Sequence, residues 1–448
     1  MKKLIKRREI PAGNPVSDNA LLDRLYRSRH IKNSQELDRT LQSMLNPNQL
    51  HGIQQAVSLL VDAYQQQQKI VIVGDFDADG ATSTALSVLA LRMLGFTDVE
   101  YLVPNRFEQG YGLSVPVAEM AMEKGVQLLM TVDNGVSSFE GVAYLKEQGV
   151  KVLITDHHLP PEILPNADAI VNPNLQQCDF PSKCLAGVGV AFYLMLALRA
   201  KFRELGIFTA ETQPNFTELL DLVALGTIAD VVPLDQNNRI LAHQGLMRIR
   251  AKRCRPGIIA LAEVANREVE KLCSSDLGFA IAPRLNAAGR LDNMSVGVEL
   301  LLAESMQEAR AQALDLDSLN QARKEIERTG MGLLNEDEWE YCCGSGTRRL
   351  FKWGNQLHRS LIQDEANSPL WNENMFGLEI ANAEFGPELI EGRPYTKGAW
   401  LEENFKAPVL NLLPLSSYYS VNLPLLVDPN GYLAAGYYCA RRAIRIEM

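Results

Sequence analysis

What this chain lacks narrows it first. Its seven cysteines (Cys178, Cys184, Cys254, Cys273, Cys342, Cys343 and Cys439) form no CxxC pair and no metal-ligand spacing. That argues for reduced thiols and against a zinc site. No apolar run is long enough to span a membrane. The basic start, MKKLIKRREIPAGNPVSD, is followed by no apolar signal core, so a cytoplasmic protein is expected. No internal repeat or low-complexity tract is evident. A surplus of positive charge is also absent. The net charge of −10 does not advertise a nucleic-acid binder, nor does it exclude one, because steering depends on local patches. Basic residues gather at Lys2–Arg8, Arg24–Lys32 and Met247–Gly257, and each run also reads as a solvated face.

What is there has a clear order. The 448 residues leave room for two or three domains. Residues 1–66 read as a polar helical leader, for example DNALLDRLYRSR and QELDRTLQSML. From Lys69 onward, short apolar strands (KIVIVGD, VEYLVPN, VQLLMTVDNG, VKVLITDHH, ADAIVNPN) alternate with helical patterns. This alternation predicts an α/β core with a parallel sheet covered by helices on both faces, over residues 67–240. AGVGVAFYLMLALRAKF reads as a buried helix, and ELLDLVALGTIADVVPL as a helix breaking at Gly226 with Asp230 at a turn. Residues 241–304 complete the core with helices and a small-residue loop, APRLNAAGRLDN. Residues 305–328 read as one amphipathic connector helix. Residues 329–448 show no clear period and read as an irregular tail.

The chemistry gathers at strand ends. Asp79, Asn105, Asp133, Asp156 and Asn172 each fall at the carboxyl end of an apolar strand, the edge where open α/β sheets bind ligands. In VIVGDFDADGATSTA, Asp75, Asp77 and Asp79 stand at alternate positions before a small-residue helix start. Crowded carboxylates raise one another's pKa, and a divalent cation removes that cost. Capping of a helix N-terminus is the other reading of this stretch. Asp133 in TVDNG also reads as a plain turn residue. ITDHHLP places His157 and His158 beside Asp156, a donor set suited to manganese, iron or zinc. Taken together, Asp77, Asp79, Asp133, Asp156, His157 and Asp230 are candidates to hold two ions for a phosphoryl displacement. Arg106, Arg284 and Arg290 are candidate phosphate anchors, each equally readable as a surface ion-pair former.

These motifs, in this order, resemble the DHH phosphoesterase superfamily, and most closely its RecJ-type single-strand-specific exonucleases. The match runs through VIVGDFDADGATSTALS, YLVPNRFEQGYGLS, TVDNGVSS, TDHHLP, NPN, FPSKCLAGVGVAFYLMLAL, LLDLVALGTIADVVPL and GFAIAPRLNAAGRLDNMSVG, and covers roughly residues 1–328. The resemblance implies that Asp75, Asp77, Asp79, Asp133, Asp156, His157 and Asp230 hold or support two manganese or magnesium ions. It implies that His158 lies near the scissile phosphate and counts with Asp75 and Arg106 as catalytic. It implies that Asn105, Arg106, Arg284 and Arg290 meet substrate phosphates. The implied reaction is 5′→3′ hydrolysis of single-stranded DNA to mononucleotides in repair and recombination. A monomer is expected, with a single-strand-binding protein and a helicase as partners. A phosphoesterase for short oligonucleotides or small nucleotides, and a catalytically dead DNA-binding fragment, stay open as alternatives.

The chain departs from that family after Arg328. The family continues with a domain carrying a Gly-Gly-His motif and then an oligonucleotide-binding barrel, and GGH does not occur after Arg328 here. A replaced or out-of-frame end is expected. With one wall of the cleft missing, orientation and water exclusion would suffer, and processive activity is expected to be weak or absent.

Overall fold

A computed structural model describes residues 10–104, 112–291 and 294–328, together with two-residue strands at 332–333, 388–389, 396–397, 439–440 and 442–443. Five parallel strands form the centre: β1 (Ile70–Gly74), β2 (Val99–Leu102), β3 (Leu128–Val132), β4 (Lys151–Thr155) and β5 (Ala169–Val171). Their order is β2-β1-β3-β4-β5. The chain direction across the sheet therefore reverses between β1 and β3, which opens a crevice at their carboxyl ends.

The strands are apolar without alternation because both faces are covered. Ile70 and Ile72 face the larger core, and Val71 and Val73 the smaller one. Helices α4 (Val115–Glu123) and α5 (Phe139–Glu147) cover the smaller side. The larger side takes α2 (Ile53–Gln65), α3 (Ala78–Met93) and α6 (Gly187–Glu204). Helices α3 and α6 are buried almost all round, so each reads as apolar on every face rather than on one stripe. A further helical layer follows: α7 (Leu220–Ala229), α8 (Gln236–Arg250), α9 (Pro256–Val264), the single turn α10 (Ser274–Asp276), α11 (Ala282–Leu291), α12 (Ser295–Leu302) and α13 (Met306–Arg328). The leader contributes α1 (Ala20–Arg27).

The five strands and the connector helix lie where the sequence puts them. Three local expectations are corrected. QELDRTLQSML forms two short 3₁₀ turns, at Ser34–Leu37 and Leu41–Ser43, rather than a helix. Asp38 lies between them, and its carboxylate takes Thr40 N–H and the Ser43 hydroxyl, a local competitor to helix. APRLNAAGRLDN is not a loop: it enters α11 through a π-helical turn at Leu277–Ile281. Its small residues Ala282, Ala287 and Ala288 are buried contacts, and alanine favours helix. Helix α7 does not break at Gly226 but runs through it, for a reason given below. The expectations for the irregular tail and the missing second wall lie outside the described residues, apart from the short pairings Gly332–Leu333 with Arg442–Ala443 and Glu388–Leu389 with Thr396–Lys397 and Cys439–Ala440.

Candidate metal centre

The aspartates of the first loop follow β1 directly. Asp77 caps α3, its Oδ1 accepting from Gly80 N–H at 2.9 Å. Gly80 is obligatory at this turn, since a Cβ would sit 2.3 Å from the Asp75 carbonyl oxygen. Asp79 is buried in the first turn of α3, and its carboxylate reaches the N-terminus of α6. Gly187 N–H donates to Oδ2 at 2.6 Å and Val188 N–H to Oδ1 at 3.2 Å. Burial nevertheless pushes Asp79 well above the usual carboxylate range, and the charges of Asp230 and Asp77 push it further.

Asp133 follows β3 in a left-handed conformation, φ 62°, and is 2% exposed. Its pKa is also raised well above normal, by burial and then by Asp79, Asp77, Asp75 and Asp156. Asp230 follows α7 and is pushed up to about 7 by burial and the charge of Asp77. No lysine or arginine among the described residues forms an ion pair with Asp79, Asp133, Asp156 or Asp230.

His157 stands between them. Its Nε2 lies 3.1 Å from Asp133 Oδ1 and 3.5 Å from Asp230 Oδ2. Neither contact has hydrogen-bond geometry, and both oxygens are buried without a donor. Burial, with the charge of His158, holds His157 down at about 4, so the ring is neutral at pH 7. The ring hydrogen-bonds the Leu185 carbonyl, which leaves a lone pair on its other nitrogen. Three potential ligand atoms thus converge with no hydrogen bond joining them, and the raised pKa values of Asp133 and Asp230 record the cost of gathering their charges without a cation. A cation satisfies that arrangement, and orphaned buried oxygens are otherwise costly. Two ligand groups form, each with its atoms within 4.8 Å: Asp133, His157 and His158, and Asp79, His157 and Asp230. Carboxylate with imidazole suits manganese or another divalent ion.

Asp156 behaves differently. Its Oδ1 accepts from His157 N–H (2.7 Å), His158 N–H (3.0 Å) and His158 Nδ1 (2.7 Å), and its Oδ2 from Val136 N–H (2.9 Å). Burial raises its pKa, but these hydrogen bonds outweigh that and hold it below normal. The same contact lifts His158 to about 9. Asp156 therefore holds both histidines by hydrogen bonds, and His158, charged at pH 7, lies beside the ligand atoms without a lone pair to offer an ion. Asn172 and Asn174 hold the turn from the other side, donating to the carbonyls of His158 (2.9 Å) and His157 (2.6 Å). A cavity of about 290 Å³ opens beside His158, lined by Ser114, Gly135, Ser137, Ser138 and Glu140 among others.

Of the expected anchors, Arg284 is buried and bound to Asp317 Oδ1 of α13 at 2.7 Å through Nε and to the Ala280 carbonyl through Nη1. Arg290 lies on α11 with its side chain outside the described residues, as do Asn105 and Arg106 entirely. Sequence reasoning missed the glycines that make room. A Cβ on Gly187 would fall 2.5 Å from Asp133 Oδ1. One on Gly226 would fall 2.3 Å from Thr82 Oγ1 and 2.5 Å from Asp79 Oδ1. Their only signal was glycine inside helical patterns, where it costs stability and marks a close approach.

Residues 69–227 match the family model described as the DHH family, N-terminal domain. The single-stranded-DNA-specific exonuclease RecJ of Haemophilus influenzae is 84% identical over 333 residues, which is 74% of this chain and 58% of that protein. The Escherichia coli protein of the same name is 60% identical over 328 residues, 72% of this chain and 57% of its own. The chain thus spans a little over half the length of these relatives. A crystal structure of exonuclease RecJ bound to manganese superposes with a TM-score of 0.56 at 38% identity, covering 62% of this chain and 68% of that one. With that much of a solved relative covered at that identity, and with the DHH model lying over every member of the carboxylate–histidine cluster but Asp230, this chain belongs to the RecJ group of the DHH family.

Proposed function

We propose that the protein is a divalent-metal-dependent exonuclease that hydrolyses single-stranded DNA from the 5′ end to mononucleotides. The observation that carries this reading is the convergence of His157 Nε2 on Asp133 Oδ1 and Asp230 Oδ2, two buried oxygens with no hydrogen-bond partner, in a chain whose relatives are named single-stranded-DNA exonucleases. Asp77, Asp79, Asp133, His157 and Asp230 hold two manganese or magnesium ions, with Asp75 and Asp156 in support. Bound there, the ions supply a water activated for attack and stabilise charge on the attacking and leaving oxygens.

The chain's own groups do the rest. His158, charged at pH 7 and fixed by Asp156, attracts the scissile phosphate. The cavity beside it takes the nucleotide being released. Asn105, Arg106, Arg284 and Arg290 are the phosphate contacts along the strand, Arg284 doing so with its Nε already held by Asp317. The DNA lies across residues 67–304, against the leader of 1–66 and the connector of 305–328. No described helix is long and apolar enough to cross a membrane. The setting we propose is the cytoplasm, where the monomer degrades strands exposed in repair and recombination beside a single-strand-binding protein and a helicase.

The test is release of label from 5′- and 3′-labelled single-stranded DNA with manganese, comparing the full chain with Asp133→Ala. Mononucleotides from the 5′ end that disappear in the variant are the expected result. Release from the 3′ end, or equal release by the variant, overturns the reading.

A further inference from the structure

The first loop holds three aspartates, and its own backbone competes for them. The opening N–H groups of a helix have no partner within the helix and take any acceptor at hand. In α3, Asp77 serves Gly80 N–H through Oδ1, and Asp75 Oδ1 accepts from Phe76 N–H. Ala78 N–H is another donor beside Asp77, and Ala78 is 1% exposed, so water does not serve it. Its acceptor comes from 208 residues further along the chain: Asn286 Oδ1 of α11, at 2.7 Å.

We propose that Asn286 is a positioning residue for the metal centre: by accepting from Ala78 N–H, it keeps the Asp77 carboxylate available to an ion. The inference rests on the metal reading above and extends it to a residue outside the carboxylate–histidine set. Two features of the structure support it. The first is chemical type. The acceptor stands beside a loop carrying Asp75, Asp77 and Asp79. An amide oxygen accepts a hydrogen bond there without adding another negative charge. The second is geometry. Residues 284 and 286 of one helix project about 200° apart at 3.6 residues per turn. Arg284 binds Asp317 of α13 while Asn286 binds the start of α3. Helix α11 therefore braces the metal loop against the connector.

Without the Asn286 oxygen, Ala78 N–H is a buried donor with no acceptor. The flexible carboxylate of Asp77, one residue away, turns to it and leaves the ion site. Partners of this outer kind are worth about tenfold to a hundredfold in metal affinity.

The experiment is Mn²⁺ titration of the full chain, followed by electron paramagnetic resonance, on wild type, Asn286→Leu and Asn286→Asp. Melting of the metal-free proteins is recorded alongside. Asn286→Leu is expected to bind Mn²⁺ about tenfold to a hundredfold more weakly. Asn286→Asp, which keeps the acceptor, is expected to restore binding to at least the wild-type level. Wild-type affinity in Asn286→Leu overturns the inference, and so does a folded Asn286→Asp that binds as weakly as the leucine variant. If Asn286→Leu does not fold, Asn286→Ala takes its place and is read by the same criteria. Wild type that binds no Mn²⁺ overturns the metal reading itself, an outcome distinct from retained binding in the leucine variant.

Discussion

The two edges of the central sheet carry the same residue type under opposite terms. At the amino edge, Lys69 precedes β1 and reaches Glu100 at 2.5 Å and Asp98 at 3.6 Å, while Lys124 reaches Glu100 at 2.7 Å. Asp168, just before β5, is held by Lys146 at 2.6 Å and Lys151 at 3.1 Å. Each of these carboxylates has a cation, and Glu100 and Asp168 titrate below their usual range. At the carboxyl edge, Asp79, Asp133 and Asp230 have no such partner among the described residues and titrate above it. One edge is built for stability alone. The other is costly unless a cation joins it, and the protein places that cost where the strand order reverses.

Removing one carboxylate from the costly edge breaks the comparison most sharply. Asp133→Asn keeps the shape and deletes the charge at the centre of the cluster. Loss of a metal ligand removes several kcal/mol of transition-state stabilisation, so single-strand hydrolysis with manganese is expected to fall about a thousandfold or more. A nuclease assay at saturating manganese checks this. Activity within tenfold of wild type would mean that Asp133 is not a ligand.

Filling the space between the carboxylates ranks next. Gly226→Ala drives a methyl to 2.3 Å from Thr82 Oγ1 and 2.5 Å from Asp79 Oδ1, inside a packed helix pair. Overpacking of this kind costs about 1–3 kcal/mol. Lower urea midpoints together with weaker Mn²⁺ binding are expected, and a variant with both unchanged would remove the glycine from the centre.

The same residues show how far the sequence could be read. The five strands were legible because apolar runs covered on both faces leave a plain signal, and the strand-end aspartates followed from the strands. The histidine pair was legible as a triplet with Asp156. The distribution of labour inside it was not, because only coordinates show that four N–H contacts occupy Asp156. Gly226 looked like a helix end because its two nearest contacts, Thr82 and Asp79, lie on α3, more than 140 residues away in the chain. Helix α11 looked like a loop because small residues pack helices as readily as they make turns. The Asn286–Ala78 contact spans 208 residues and has no local signature.

The difference between the edges should also depend on pH. Asp79, Asp133 and Asp230 bind protons more tightly folded than unfolded, Asp230 up to about 7. Between the ordinary carboxylate pKa and about 7, the folded chain therefore holds more protons. Their contribution to stability is fullest at low pH and is lost as pH rises toward 7. Asp133→Asn lacks part of that loss. In chelator, its melting temperature is expected to gain on wild type steadily from pH 4.5 to 7.5. Added Mn²⁺ should close the gap by stabilising wild type alone. A gap that stays constant with pH would mean that the cluster is not strained.

The smallest effect belongs to the amino edge and sharpens the contrast. Asp168→Asn removes the charge facing Lys146 and Lys151 while keeping an oxygen for Val152 N–H, 2.9 Å away. The lysines of these pairs still reach solvent, which screens the attraction, and a loss of about 1 kcal/mol is expected in denaturant melts. The sign with pH is opposite to that at the other edge. The pKa of Asp168 is lowered in the folded chain, since the lysines and Val152 N–H outweigh its burial. Its stabilisation is thus present above the unfolded carboxylate pKa and is lost as pH falls through the folded one. Manganese affinity and hydrolysis should not move, because nothing at this edge touches the ligand groups. A fall in Mn²⁺ binding on Asp168→Asn would show that the sheet transmits strain from one edge to the other, and the two edges would then have to be treated as one electrostatic unit.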